Sequence, residues 1–322
     1  MNNFKKIGMS ALAASLVSTS AFAGELTASG SASMSLEGHS GTILLSDTAW
    51  SMADSVTLSG STEMDNGMTV SMAFELDGDE ESATSAYDDN SLTLSSDALG
   101  TLVFAAHGGS SATSAIDATA AGNIWDNFDG ATNGLTVTGV TDGNAAAGNN
   151  NFHYTLPSLV DDLALTASLN TAGATGNNAI AWAGTYTGVD GLSVSYGIGD
   201  ITGVTAAEGD QTVMKASYAY SSVTVGYSVN DIDLSASDNS TDKKTTSWGI
   251  TYTVSDDISV TYGTETIDLN GATDAEYEGI TASYTTGGMT VSLTSQDAEN
   301  IDNTVDTDND YDYWALGLSF AF

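Results

Sequence analysis

Apolar side chains recur at every second residue through most of this chain, and no other feature restricts its fold as tightly. In residues 68–76 each even position (Met68, Val70, Met72, Phe74 and Leu76) is apolar, while the odd positions are small or polar. Successive side chains of an extended strand point to opposite faces, so a period of two sorts them into an apolar face and a polar face. The pattern also fills residues 26–36, where Leu26, Ala28, Gly30, Ala32, Met34 and Leu36 share one face. It returns in 163–169, 192–198, 223–229, 258–262, 280–284 and 289–293. Helical periodicity gains no comparable hold. Beyond Ala23 no segment approaches the roughly 18 to 20 consecutive apolar residues that a membrane-spanning helix needs.

The links between these runs alternate too. Short ones (65–67, 157–162, 189–191, 255–257 and 286–288) join one set of strand ends, and longer stretches rich in Asp, Asn, Ser and Gly (77–90, 230–244 and 296–310) join the other. Short turns on one side and long loops on the other characterise a transmembrane β-barrel, and the runs count to about 16 strands, within the even-numbered range of bacterial single-chain barrels. The faces point the same way. A soluble barrel must interlock bulky side chains in a closed core, whereas here the polar face is Ser, Thr, Gly and Ala with an occasional Glu or Lys. Such a face suits a hydrated lumen, and the apolar face suits lipid. Tyr154, Trp182, Tyr186, Tyr218, Tyr220, Trp248, Tyr252 and Trp314 fall near strand ends, where an interfacial girdle lies. The expected fold is all-β, a transmembrane antiparallel barrel over residues 24–322.

The first residues carry Lys5 and Lys6, an apolar run over 7–17, and Ala21-Phe22-Ala23 before Gly24. This order is that of a secretory signal peptide, residues 1–23, cleaved after Ala23. Beyond it remain three basic residues, Lys215, Lys243 and Lys244, no Arg, and all 42 Asp and Glu. A surface so acidic repels a phosphate backbone, which excludes nucleic acid as a partner and makes cations the expected mobile ones. With no cysteine, disulfides and thiolate chemistry are excluded.

Residues 311–322 place Trp314, Leu316, Leu318, Phe320 and Phe322 on one face and finish on an aromatic. This resembles the terminal strand of bacterial outer-membrane proteins, whose closing aromatic is read by the barrel-assembly machinery. Two further patches are similar to the trimeric general-diffusion porins, especially those of alphaproteobacteria. Residues 150–159, Asn-Asn-Phe-His-Tyr-Thr-Leu-Pro-Ser-Leu, resemble their Tyr-bearing strand and Pro-containing periplasmic turn. Residues 92–95 and 98–104 resemble the strand pair before their third loop.

The resemblance implies a sixteen-stranded homotrimer in the outer membrane, its lipid the surrounding partner, passing small hydrophilic solutes. It also implies a third extracellular loop that folds into each barrel and narrows it. Residues 108–150 occupy that place, and their acids Asp117, Asp126, Asp129 and Asp142 are the constriction candidates. In the family an arginine and lysine cluster faces the acidic loop. The absence of Arg here departs from that pattern and puts a strong transverse field in doubt.

Glu75 and Lys215 lie on the polar parity of their strands. A lysine in the lipid mid-plane costs roughly 2 to 4 kcal/mol, so both are expected to face the lumen, as pore-lining charges or in a solvated rim. Lys243 and Lys244 are expected in a loop, solvated or paired with Asp238 and Asp242. The prevailing acids predict a negative lumen and cation preference. Residues 306–312 and 77–81 invite Ca²⁺, but 306–317 lacks the Gly and Glu that an EF-hand loop carries at its sixth and twelfth places. No resident cofactor is expected, only non-specific Ca²⁺ or Mg²⁺ bridging at such loops. His39, His107 and His153 fall in expected loops or strand edges without a nucleophile motif, and Gly191 to Ser195 lacks the closing Gly of a nucleophile elbow, so no enzyme is expected. The competing reading is a secreted acidic β-rich surface protein or adhesin held by divalent cations. That reading leaves the aromatic terminus and the alternating link lengths unexplained.

Overall fold

The computed structural model describes residues 26–40, 48–77, 89–128, 148–171, 178–201, 208–234, 242–301, 303 and 310–322. Residues 1–23 lie outside them. Sixteen strands follow one another: β1 (Thr27–Ser40), β2 (Ala49–Glu63), β3 (Thr69–Asp77), β4 (Asn90–Ser96), β5 (Gly100–His107), β6 (Asn151–Thr155), β7 (Leu163–Asn170) and β8 (Ala179–Val189). They continue with β9 (Leu192–Ile201), β10 (Gly209–Tyr220), β11 (Val223–Leu234), β12 (Lys243–Ser255), β13 (Ile258–Leu269), β14 (Ala275–Thr286), β15 (Met289–Glu299) and β16 (Tyr311–Ala321). Each pairs antiparallel with its neighbours in sequence, and β1 also pairs with β16, so the sheet closes on itself. Closure matters because an open strand edge in hydrocarbon would strand backbone N–H and C=O groups without partners.

The turns follow the sequence pattern. Val189 and Leu192 pair across Asp190-Gly191, and Gly191 takes φ +74°. That is the Asp-Gly hairpin chemistry whose backbone twist suits flanking strands. A Cβ on Gly191 would meet the Ala219 carbonyl of the next hairpin.

Alternation sorts side chains as expected, in the inverse of a soluble protein. Trp182, Tyr196 and Leu293 are 57%, 53% and 59% exposed on the outer face, while Ser168, Ser228, Ser247, Gln211 and Asn230 are buried on the inner one. Large apolar side chains exposed around the whole circumference are untenable in water and match the hydrocarbon of a bilayer. Trp314, Leu316 and Phe320 of β16 belong to this outer face and are exposed, as is Phe322, and Leu318 shares their parity. The Phe322 amide donates to Gly30 O (3.0 Å) and the Gly30 amide to Phe322 O (2.9 Å), joining the last residue to β1.

The strands run further than their apolar alternation. Asp231 and Asp233 of β11, Glu276 and Glu278 of β14, and Asp297 and Glu299 of β15 are exposed on the outward parity at the long-loop ends. Several lie in stretches expected to be loop. Lys243 is a correction of the same kind. It opens β12, pairs in register with Ile232 and Leu269, and is buried. Asp242 accepts the Leu234 amide (2.8 Å), and Asp238 lies outside the described residues. The cause is that ladder pairing continues beyond the hydrocarbon band, where the outward position no longer has to be apolar.

Candidate functional site

Between β5 and β6 the described part of the long connection, 108–128, follows the inner wall across much of the circumference. Its backbone is held by inward side chains of successive strands. The Ala112 amide donates to Ser168 Oγ on β7 (2.9 Å), Ala120 to Ser228 Oγ on β11 (2.9 Å), and Ala121 to Ser247 Oγ on β12 (2.9 Å). Lys215 Nζ on β10 donates to the Ala118 carbonyl (2.7 Å), and Asn127 Nδ2 to Gln296 Oε1 on β15 (2.9 Å). His39 Nε2 on β1 meets the Asn127 carbonyl at 2.9 Å, and His153 Nδ1 on β6 meets the Ser110 carbonyl at 3.0 Å. A carbonyl only accepts, so each of those ring nitrogens carries the hydrogen. His39, at the end of β1, and His153, in the middle of β6, both face inward, so of the two only His153 departs from the expected loop or strand edge.

The wall is also shaped to receive the segment. Gly226, Gly249, Gly263 and Gly279 are direct cross-strand partners on β11 to β14. A Cβ on Gly249 would fall on the Ala120 carbonyl, and one on Gly263 on Ala121. Four neighbouring glycines thus remove a layer of wall, three of them where Ala120 and Ala121 lie and Gly279 beside Ile124. Beyond them a 3-10 turn, Ile124–Phe128, buries Ile124, Trp125 and Phe128 against Ile267, Tyr277, Ile301, Tyr311 and Tyr313. Phe128 packs at ring-centroid distances of 5.7 Å from Tyr277 and 6.2 Å from Tyr313.

The sequence candidates distribute unevenly over this arrangement. Asp117, a residue of the segment, is buried against the wall beside Gln211 and Lys215, and burial pushes its carboxyl up to about 6, against the Gln211 hydrogen bond and the Lys215 charge. Asp126 is exposed in the 3-10 turn. Asp129 and Asp142 lie outside the described residues. Glu75, half-buried on β3, shares the inner face with Ser71 and Ala73, opposite in parity to the exposed Met72 and Leu76. Lys215 faces inward but is engaged by the segment. Sequence reasoning missed Glu265, which is 1% exposed on β13 and is bonded by Thr119 Oγ1 and by the Trp125 amide (3.1 Å). Its inward parity beside Gly263 and Ile267, instead of hydroxyls, was the available signal. Among the described residues no three His, Asp or Glu side chains group as a metal site. The acidic stretch at 306–309 and residues 78–81 lie outside the described residues.

A closed sixteen-stranded barrel, apolar outside, polar inside, with a connection packed along its inner wall, is a transmembrane β-barrel channel of the outer membrane. The chain belongs to the Gram-negative porin family, whose model matches residues 9–285. Solved structures with a similar fold include a loop-deletion variant of OmpT, an outer membrane protein of Vibrio cholerae (TM-score 0.70, 13% identity, 93% of this chain and 99% of that one). A refined porin structure is similar at TM-score 0.67 and 19% identity, covering 92% of this chain and 100% of that one. An engineered variant of the Rh. blastica porin is similar at 0.65 and 19%, with the same coverage. No curated protein matches the sequence. The membership favours a channel over the secreted surface protein.

Proposed function

We propose that the protein lets small hydrophilic solutes diffuse passively across the outer membrane and prefers cations. In this reading it is exported with cleavage after Ala23, is inserted by the barrel-assembly machinery through its β16 strand, and works as a homotrimer, as the family resemblance implies. The preference rests on one observation: the basic side chains are few and none lies exposed on the inner face. Lys215 is bound to the Ala118 carbonyl beside Asp117, Lys243 is buried, and Lys244 is exposed on the outward parity between Asp231 and Asp268 in register. The sequence holds no Arg to offset the acids. In this reading Asp126, exposed in the 3-10 turn, and Glu75, half-buried on the inner face, contribute negative charge to the passage, and Asp117 adds to them once ionised. A negative lumen concentrates cations, and salt weakens the effect because the Debye length falls to about 8 Å at physiological ionic strength.

The test is the reversal potential of the refolded protein in a planar bilayer under a KCl gradient. A cation-selective sign that shrinks as salt rises is expected; an anion-selective sign overturns the proposal.

A further inference from the structure

We propose that Glu265 is the positioning residue of the channel, the wall group that fixes where the constricting segment lies and keeps the open state single. The other wall contacts each hold one point of the segment. Glu265 holds two, because one carboxyl oxygen takes the Thr119 hydroxyl and the other the Trp125 amide. Between them the chain turns through Gly122 (φ 93°) and Asn123 (φ 57°) into the 3-10 turn.

Thr119 is the matching half of the latch. Its Oγ1 accepts the amides of Gly122 (3.1 Å) and Asn123 (2.7 Å), while its own amide donates to Asn123 Oδ1 (2.9 Å). A hydroxyl has one hydrogen and two acceptor sites. Both acceptor sites are used inside the turn, so the one hydrogen is left for Glu265. The turn and its attachment to the wall therefore share a single side chain, and neither persists unchanged without the other. A carboxyl group this buried also has no water to replace a lost partner. Releasing it affects the whole stretch from Thr119 to the apolar plug of Trp125 and Phe128.

The latch can be broken from either side. Thr119→Val keeps the volume and deletes the hydroxyl. Glu265→Gln puts an amide donor where the hydroxyl or the Trp125 amide needs an acceptor. Thr119→Ser keeps the hydroxyl and serves as the rescue. All three are refolded as full-length mature protein, scored for the slow migration of unheated barrels, and recorded as single channels. The expected result is excess open-channel noise and closures at lower voltage in Thr119→Val and Glu265→Gln, with the quiet single level of the parent in Thr119→Ser. If Thr119→Val does not form a barrel, the comparison of Glu265→Gln with Thr119→Ser decides. Barrels of Thr119→Val or Glu265→Gln with the parent's noise and closing voltage overturn the proposal, and so does a Thr119→Ser channel as noisy as Thr119→Val. None of these readings depends on the sign of ion selectivity.

Discussion

The serines of β1 and β2 and those of β7, β11 and β12 occupy the same inward parity of one barrel, yet they do different things. Ser29, Ser31, Ser33 and Ser51 are exposed, whereas Ser168, Ser228 and Ser247 are buried, each oxygen taken by an amide of the segment 108–128. The neighbours differ accordingly. The first wall continues in hydroxyls that pair with one another, as Ser31 does with Ser55 (3.1 Å). The second alternates its serines with a glycine row and with Glu265. A wall that meets water needs only polarity, because water fits any geometry. A wall that meets backbone must offer acceptors at fixed places and yield volume where the chain approaches.

The same enlargement on the two walls is the strongest way to break this contrast. Gly249→Val drives a side chain into the Ala120 carbonyl, and overpacking of this kind costs about 1–3 kcal/mol. Ala53→Val, at an exposed inward position of β2, is expected to change stability by less than about 0.5 kcal/mol. Urea midpoints of the refolded barrels, read together with single-channel conductance, measure both. Equal midpoints and equal conductances would mean that the segment does not rest on the glycine row.

A smaller contrast comes from deleting hydroxyls. Ser228→Ala leaves the Ala120 amide without its acceptor, at about 1–2 kcal/mol. Ser31→Ala lets water take over, and its effect is expected to stay within about 0.5 kcal/mol. The same urea midpoints decide, and a Ser31→Ala loss as large as that of Ser228→Ala would remove the distinction between the walls.

What the sequence makes legible follows from the same contrast. Period-two alternation locates strands wherever the outward position must be apolar, so β3, β7, β9 and β11 emerge from it directly. It fades where Asp231, Asp233, Glu276 and Asp297 take the outward place, and there strand is mistaken for loop, as at Lys243. The place of the segment 108–128 inside the barrel is what the family resemblance implies, and its described acids divide into a buried Asp117 and an exposed Asp126. Alternation tells inward from outward, but register decides which inward residues lie side by side. Gly226, Gly249, Gly263 and Gly279 are far apart in sequence, and only the ladder makes them one groove. Glu265 has the same parity signature as Glu75, and only the segment lying on it gives it a different role.

The finest separation of the two walls is electrical. Asp117 is buried between the segment and the wall, and its carboxyl, raised by burial to about 6 from an ordinary 3.8, holds its proton more tightly there than it would in a released segment. Packing at Asp117 is therefore strongest below 3.8, weakens as pH rises from there to about 6, and changes no further above. The same titration adds a negative charge beside the passage. Cation preference is thus expected to step up as pH rises through about 6, read as a shift in reversal potential at constant salt. Asp117→Asn removes that step while Glu75→Gln on the open wall lowers preference but leaves the step in place. A step of undiminished size in Asp117→Asn would assign the titration to another group and leave Asp117 a packing residue alone.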